Sequence, residues 1–311
     1  MPDETKGMSR RRALECGLWA GAGVLWTVSG GVPRASLLGS AHAATEADTS
    51  LSFVQISDSH IGFNKAANPE ATQTFKALLD RVAAMKDRPD FMLHTGDVSH
   101  LSRDSEWDTA QLLVKATGIE THFIPGEHDM LVDNGAPFFA RFAPDAAKPG
   151  GWYSFDAKGV HFVALVNVAA LKPGGEGSLG AAQLAWLEND LKDRAASQPI
   201  VVTIHIPLWQ VYPQWGWGTE DGAQALTYLR RFGSVTVLNG HIHQLLQKVE
   251  GNVAFHTGMS TAFPQPAPGA AASPGPMTVE PGRLRQLLGV SSVTYVPGKE
   301  RLAIVDRPLG A

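Results

Sequence analysis

FIPGEHDML, Phe123 to Leu131, reads as a buried strand stopped at Pro125-Gly126, with Glu127, His128 and Asp129 delivered into the turn that follows. Proline cannot donate to a sheet ladder, and glycine lets the backbone turn closely. The same pattern recurs along the chain. Asp58-Ser59-His60 follows FVQIS, Gly96-Asp97 follows FMLHT, His205 ends VVTI, and Gly240-His241-Ile242-His243 follows VTVLN. In open α/β sheets, ligands bind outside the carboxyl ends of the strands. Five such clusters therefore point to one rim lined by Asp, Glu and His.

Between these clusters the chain alternates. Residues 51–57, 90–96 and 121–126 read as strands, separated by helical spacing over 68–85 and 104–118. Such alternation indicates βαβ units. Residues 152–166 read as a hairpin turning at Ala157-Lys158-Gly159. A helix over 179–195, a strand over 199–207, and a helix over 221–233 closed by a C-cap glycine follow. Strands over 234–243, 245–251 and 252–258 come next. Residues 264–282, rich in Pro, Ala and Gly, are expected to be irregular, and a closing hairpin turns at Pro297-Gly298. Parallel units first and hairpins later predict one α/β domain of two packed mixed sheets with helices outside, a four-layer α/β/β/α sandwich.

The 311 residues carry a net charge of −4, and 44% are hydrophobic. That composition suits a globular core and offers no electrostatic footprint for nucleic acid. The sole cysteine is Cys16, so a disulfide framework and a cysteine-based metal site or nucleophile are excluded. Arg10, Arg11 and Arg12 precede an apolar, glycine-rich run, and Ala41–Ala44 read AHAA. A basic start, an apolar middle and a small-x-small end form an export signal over residues 1–43, leaving 44–311 as the mature domain. Ser9-Arg10-Arg11 resembles the twin-arginine type, with Ala13 where that signal prefers a large apolar residue. The partner implied is the export machinery, and the location periplasmic or secreted. The alternative is an uncleaved anchor, for which the apolar stretch is short.

Hard oxygen donors mixed with imidazole suit Mn, Fe, Zn or Mg. Asp58 and His60 are two apart, as are His241 and His243, and residues i and i+2 of an extended segment point the same way. On that spacing each pair grips one ion. Asp97, between the other clusters in chain order, is the natural bridge between two ions.

The order D-x-H, G-D, G-x-H-D, a lone His after an apolar strand, and G-H-x-H resembles the calcineurin-like metallophosphoesterases, from about Phe53 to His243. The resemblance implies a two-metal hydrolase acting on phosphate-ester small molecules. One metal would take Asp58, His60, Asp97 and His243; the other Asp97, His205, His241 and the residue at 127. His128 would stand beside the substrate as acid or transition-state donor, with Asp129 orienting it. Two metals can hold a hydroxide and clamp the attacking and leaving oxygens of an in-line displacement. QISDSH, and His100 in place of the tyrosine of purple acid phosphatases, look most like the branch containing class III cyclic nucleotide phosphodiesterases. Cyclic nucleotides, other diesters and monoesters remain open as substrates.

Position 127 departs from that family, which usually has Asn there. Glu127 as a ligand lowers the charge of the site, which predicts a weaker pull on phosphate anions or a preference for one trivalent ion. Otherwise it swings out and water ligates. A metal-binding sensor with little turnover is the competing reading. Of the remaining histidines, His94, His122, His161 and His256 are expected to be structural, and His100 is open. The aromatic run at 207–218 is either a substrate wall or a hydrophobic plug, and 260–269 either edges the pocket or, the favoured reading, is a surface loop.

Overall fold

The computed structural model describes residues 23–29, 32–38, 50–143, 150–280, 282–299 and 301–310. The Arg10–Arg12 cluster, Cys16 and the Ala41–Ala44 cleavage motif lie outside them. In the leader-like segment, β1 (Gly23–Ser29) pairs antiparallel with β2 (Val32–Leu38). A second unit runs from Leu51 to Ala311. Among the described residues no helix is long and apolar enough to cross a membrane.

Side-chain alternation builds the second unit. Successive residues of a strand face opposite sides of the sheet. In β3 (Leu51–Ile56), Leu51 and Phe53 enter one core, and Val54 and Ile56 another. In β4 (Phe91–His94), Phe91 and Leu93 join the first pair while Met92 joins the second. β5 (Thr121–Phe123) lies parallel to β4, which lies parallel to β3. The antiparallel strands β12 (Gly289–Tyr295) and β13 (Ala303–Pro308) complete this five-stranded sheet in the order β13-β12-β3-β4-β5.

The other sheet runs β10-β11-β9-β8-β7-β6. Its strands are β6 (Tyr153–Ala157), β7 (Val160–Ala164), β8 (Ile200–Thr203), β9 (Val235–Asn239), β10 (Leu246–Glu250) and β11 (Val253–Thr257). β7, β8, β9 and β11 are parallel, and the edge strands β6 and β10 antiparallel. Val160, Phe162, Val201 and Leu238 meet the Leu51–Phe53 face, closing a middle layer between the sheets. Phe53 stacks on Phe91 at 5.3 Å and takes the edge of Phe162 at 5.4 Å.

Helices cover both outer faces. α1 (Ala71–Ala83), α2 (Asp104–Ala116) and α3 (Ala136–Phe142) pack Phe75, Leu78, Trp107, Val114 and Phe138 on the first sheet. α4 (Gly180–Leu191) and α5 (Gly222–Leu229) cover the second with Leu184, Leu187, Leu191, Leu226 and Leu229, spaced as one helix face. The four-layer sandwich is thus as expected. α3 and a short α6 (Leu284–Leu287) were not anticipated. The predicted C-cap role of Gly233 is not realised either. α5 ends at Leu229, and the Gly233 N–H donates to Ala196 O at 2.8 Å.

Three histidines serve this scaffold. His161 lies buried between Asp156 (3.0 Å) and Asp190 (2.7 Å), tying the β6–β7 hairpin to α4. Burial raises the Asp190 carboxyl, but bonds from His161 and Ser154 outweigh it and hold it below its usual value. His256 reaches Asp306 at 3.0 Å, linking β11 to β13 across the sheets. His122 stacks on Phe155 at 4.1 Å.

Candidate metal centre

The clusters at the strand ends converge, though not by extended geometry. Asp58, His60, Asp97, His241 and His243 all have positive φ, between 39° and 69°. Left-handed backbone costs a non-glycine residue about 1–3 kcal/mol and gathers at functional sites. Backbone bonds hold these turns. Asp58 N donates to Gly96 O (3.0 Å), His60 N to Asp97 O (2.9 Å), and Gly240 N to His205 O (3.1 Å). The turns also need bare backbone nearby. A Cβ on Gly126 would lie 2.1 Å from Asp97 Oδ1, and one on Gly240 2.0 Å from Ser57 Oγ.

Two donor groups result. Asp58, His60, Asp97 and His243 each offer one atom, all within 4.8 Å of one another, and so do Glu127, His205 and His241. In the first, His60 Nε2 lies 3.3 Å from Asp97 Oδ2, and His243 Nε2 lies 3.3 Å from Asp58 Oδ1. In the second, Glu127 places Oε2 2.9 Å from His205 Nε2 and Oε1 3.0 Å from His241 Nδ1. Asp97 Oδ2 is also 3.5 Å from His205 Nε2, so this oxygen stands between the groups. Asp58 and His60 share a group, as their spacing suggested. His241 and His243 do not, because the turn at Gly240–His243 is left-handed rather than pleated and sends the two rings apart.

The donors fit cations. Asp58 Oδ2, Glu127 Oε2, His205 Nε2 and His241 Nδ1 are buried without hydrogen-bond partners, the close approaches above lacking the alignment. Each such orphan costs about 1–3 kcal/mol. Three of these orphans meet in the second group, which suits an ion that accepts lone pairs. The far ring nitrogens are anchored: His205 Nδ1 bonds Thr95 O at 2.7 Å, and His243 Nδ1 bonds Phe263 O at 2.6 Å. That fixes each tautomer with Nε2 facing the centre.

The carboxylates and imidazoles of the two groups shift one another's proton affinities. Burial disfavours a charged His205, yet the Asp97 and Glu127 carboxylates outweigh it and hold the imidazole well above its ordinary value. Burial likewise opposes ionisation of Glu127, but His241 and His205 hold its carboxyl well below the usual range. Burial also works against Asp58, and His243 brings it down to about 2. His60 is held well below its usual value by burial and then by His128.

His128 stands beside both groups. Its Nδ1 bonds His100 O at 2.7 Å and its backbone N–H donates to Asp97 Oδ1 at 2.9 Å. His100, left open by the sequence, stacks on His128 with ring centres 4.9 Å apart and brings Nδ1 to 3.4 Å from His60 Nδ1. His94 is buried under the rim, bonded to Ser59 Oγ at 3.0 Å.

Asp129 does not orient His128. Its carboxylate turns inward and accepts from Val98 N (2.9 Å), Gly126 N (3.1 Å), Ser99 N (2.8 Å), Ser99 Oγ (2.7 Å) and Trp107 Nε1 (3.3 Å). It pins the turn after Asp97 to the turn before Glu127. Asp129→Asn would set an NH2 group against these donors. It is expected to lower stability by about 2–3 kcal/mol, read as a lower denaturation midpoint at unchanged metal content. Unaltered stability with a selective loss of turnover would return Asp129 to the reaction.

A cavity of about 230 Å³ opens over the second group, lined by Glu127, His128, His241, Trp215, Leu171 and Gln265 among others. Of the aromatic run, Trp215 and Trp217 form part of this wall, and Trp217 is fully buried. The expected surface loop at 260–269 is not one over its first half. Ser260, Thr261, Ala262 and Phe263 are buried. Phe263 packs against His60 (4.8 Å) and His243 (4.5 Å), and Gln265 Nε2 donates to His241 O at 3.0 Å. The only local signal for this was the apolar Ala262-Phe263 pair inside a Pro-rich segment.

Two packed sheets with a carboxylate- and imidazole-lined rim define the class, a metal-dependent hydrolase. The calcineurin-like phosphoesterase profile matches residues 51–245, and the chain belongs to that family, whose members are dinuclear hydrolases of phosphoric ester bonds. The chain is 25% identical over 221 residues to a 3',5'-cyclic-nucleotide phosphodiesterase of Nostoc sp., covering 68% of this chain and 79% of that one. It is 27% identical over 179 residues to a glycerophosphodiester phosphodiesterase of Enterobacter lignolyticus, covering 54% and 61%. A dimetal phosphatase from Danio rerio shares the fold, with a TM-score of 0.63, 14% identity, and 83% of this chain and 96% of that one covered.

Proposed function

We propose that this phosphoesterase is an exported phosphodiesterase using two ions of Mn, Fe or Zn. The observation that carries the reading is the pair of donor groups meeting at Asp97, with His128 beside the cavity. Asp58, His60, Asp97 and His243 would hold one ion, and Glu127, His205 and His241 the other, with Asp97 standing between them. Two ions there supply charge stabilisation for an in-line displacement at phosphorus. The chain's own residues do the rest. Thr95 and Phe263 carbonyls lock the ligand imidazoles. His128, its Nδ1 bonded to the His100 carbonyl, keeps Nε2 for the proton of the departing ester oxygen. Trp215 and Leu171 offer an apolar wall to the organic part of the ester. The names of both relatives above specify diesters, which supports that substrate class.

The test is hydrolysis of bis-p-nitrophenyl phosphate against p-nitrophenyl phosphate by protein loaded with Mn, Fe or Zn. Faster diester turnover that stops on chelation is the expected result. Retained metal with no turnover of either ester would instead favour a metal-binding sensor.

Export rests on the Arg10–Arg12 leader alone. A folded-protein export route permits metal loading before translocation. Exchanging Arg10 and Arg11 for lysine is expected to leave the protein unprocessed in the cytoplasm. Undiminished export of that variant would eliminate the twin-arginine route.

A further inference from the structure

We infer that the Glu127 charge shifts the preference of the site away from doubly charged monoesters and toward singly charged phosphodiesters. The inference rests on the two-ion reading above and adds to it a residue that biases the substrate class.

Three carboxylates, Asp58, Asp97 and Glu127, face the ion positions. Against two divalent ions they leave one formal positive charge, and none once the attacking hydroxide is counted. Each positive charge withheld weakens the hold on a monoester dianion about twice as much as on a diester monoanion. In many phosphate sites an Arg or Lys clamp supplies the withheld charge. Here the cavity is lined by Glu127, His128, His241, Gln265, Trp and Leu side chains and small residues, with neither Lys nor Arg among them. Lys172, next to the lining residue Leu171, is paired with Glu220 at 2.8 Å, and Lys65 and Arg103 act on His100 elsewhere on the rim.

Glu127 is placed to matter more than the other two carboxylates. Asp58 and Asp97 are buried, whereas Glu127 keeps 25% of its side-chain surface exposed and lines the cavity. Its oxygens sit between His205 and His241 on the side where the ester must approach. A neutral amide at 127 still offers an oxygen to the ion but removes the charge facing the substrate. A unit charge about 5 Å away at an effective dielectric near 20 shifts affinity by more than tenfold per ligand charge, and partial exposure brings this to about tenfold. The dianion carries one more charge than the monoanion, so it gains about one further factor of ten when Glu127 is neutralised.

The experiment is calorimetric titration of the metal-loaded protein with inorganic phosphate, at a pH where it is a dianion, and with dimethyl phosphate, a monoanion. Wild type, Glu127→Gln and Glu127→Asp are compared, with metal content measured first by mass spectrometry. Wild type is expected to bind the two anions with similar affinity. Glu127→Gln is expected to tighten phosphate about tenfold more than dimethyl phosphate, and Glu127→Asp to keep the wild-type preference. Equal shifts for both anions in Glu127→Gln with two ions retained would overturn the inference. So would wild type binding phosphate more than about tenfold tighter than dimethyl phosphate. Should the glutamine variant drop an ion, the wild-type pair alone decides. A failure of the underlying reading is seen separately, as wild type holding fewer than two ions or hydrolysing no ester.

Discussion

Asp97→Asn is expected to cost the protein one of its two ions and about three orders of magnitude in turnover. Asp97 Oδ2 stands close to both groups, 3.3 Å from His60 Nε2 and 3.5 Å from His205 Nε2. Oδ1 is occupied by the His128 backbone N–H at 2.9 Å. An amide retains one oxygen but carries no charge and bridges two cations poorly. Metal stabilisation of the reacting phosphate is worth several kcal/mol, and each 1.36 kcal/mol is tenfold in rate, so a loss of about a thousandfold follows. The fold should survive. Asp97 has φ 53°, a conformation that asparagine adopts nearly as readily. The check is metal content, diester turnover and a thermal melt on one preparation. Two ions retained, with turnover within about tenfold of wild type, would remove Asp97 from its bridging role.

His128→Ala is expected to lower turnover by about 10²–10⁴-fold while leaving metal content unchanged. His128 lies close enough to Asp97 and Glu127 to be counted among possible ligands. Its Nδ1, however, is bonded to the His100 carbonyl, and it lines the cavity from beside the two groups. Burial disfavours its charged form, but the Asp97 and Glu127 carboxylates outweigh that and raise it above the ordinary histidine value. A proton donor matters most when the departing oxygen is basic. The loss should therefore be largest for diesters with alkyl leaving groups and smallest for p-nitrophenyl esters. A loss independent of the leaving group, or a matching loss of metal, would count His128 as a ligand or a structural residue instead.

Much of this centre was legible along the chain because its signals are local. An apolar run broken by Gly or Pro and followed by Asp or His marks a strand end wherever it occurs. Three such breaks located Asp97, Glu127 and His241, and apolar runs passing straight into polar residues located Asp58 and His205, all without knowledge of packing. The two-sheet architecture was legible in the order of units, parallel first and hairpins later, and the apolar strands fit it, since Phe53 and Val54, like Val201 and Val202, fill cores on opposite faces.

Other features depend on turn handedness and on contacts between residues far apart in the chain. Period-2 reasoning assigned His241 and His243 to one ion. Positive φ at 69° and 51° divides them, and composition does not announce that backbone at a non-glycine residue. Asp129 stood next to His128 in sequence, yet Trp107 and the Val98–Ser99 backbone supply enough donors to draw it inward. Phe263 and Gln265 read as loop residues until the chain returned them against His243 and His241.

The amino-acid sequence by itself therefore determined which donors this protein has and that strand ends present them, because both follow from residue type and short-range periodicity. The division of donors into two sets followed from the family resemblance, not from spacing, and only the tertiary structure decided how turns bring each set together, what His128 leans on and which aromatic residues wall the cavity. Those are set by left-handed turns and by contacts such as that between Asp58 and His243, which no local pattern encodes.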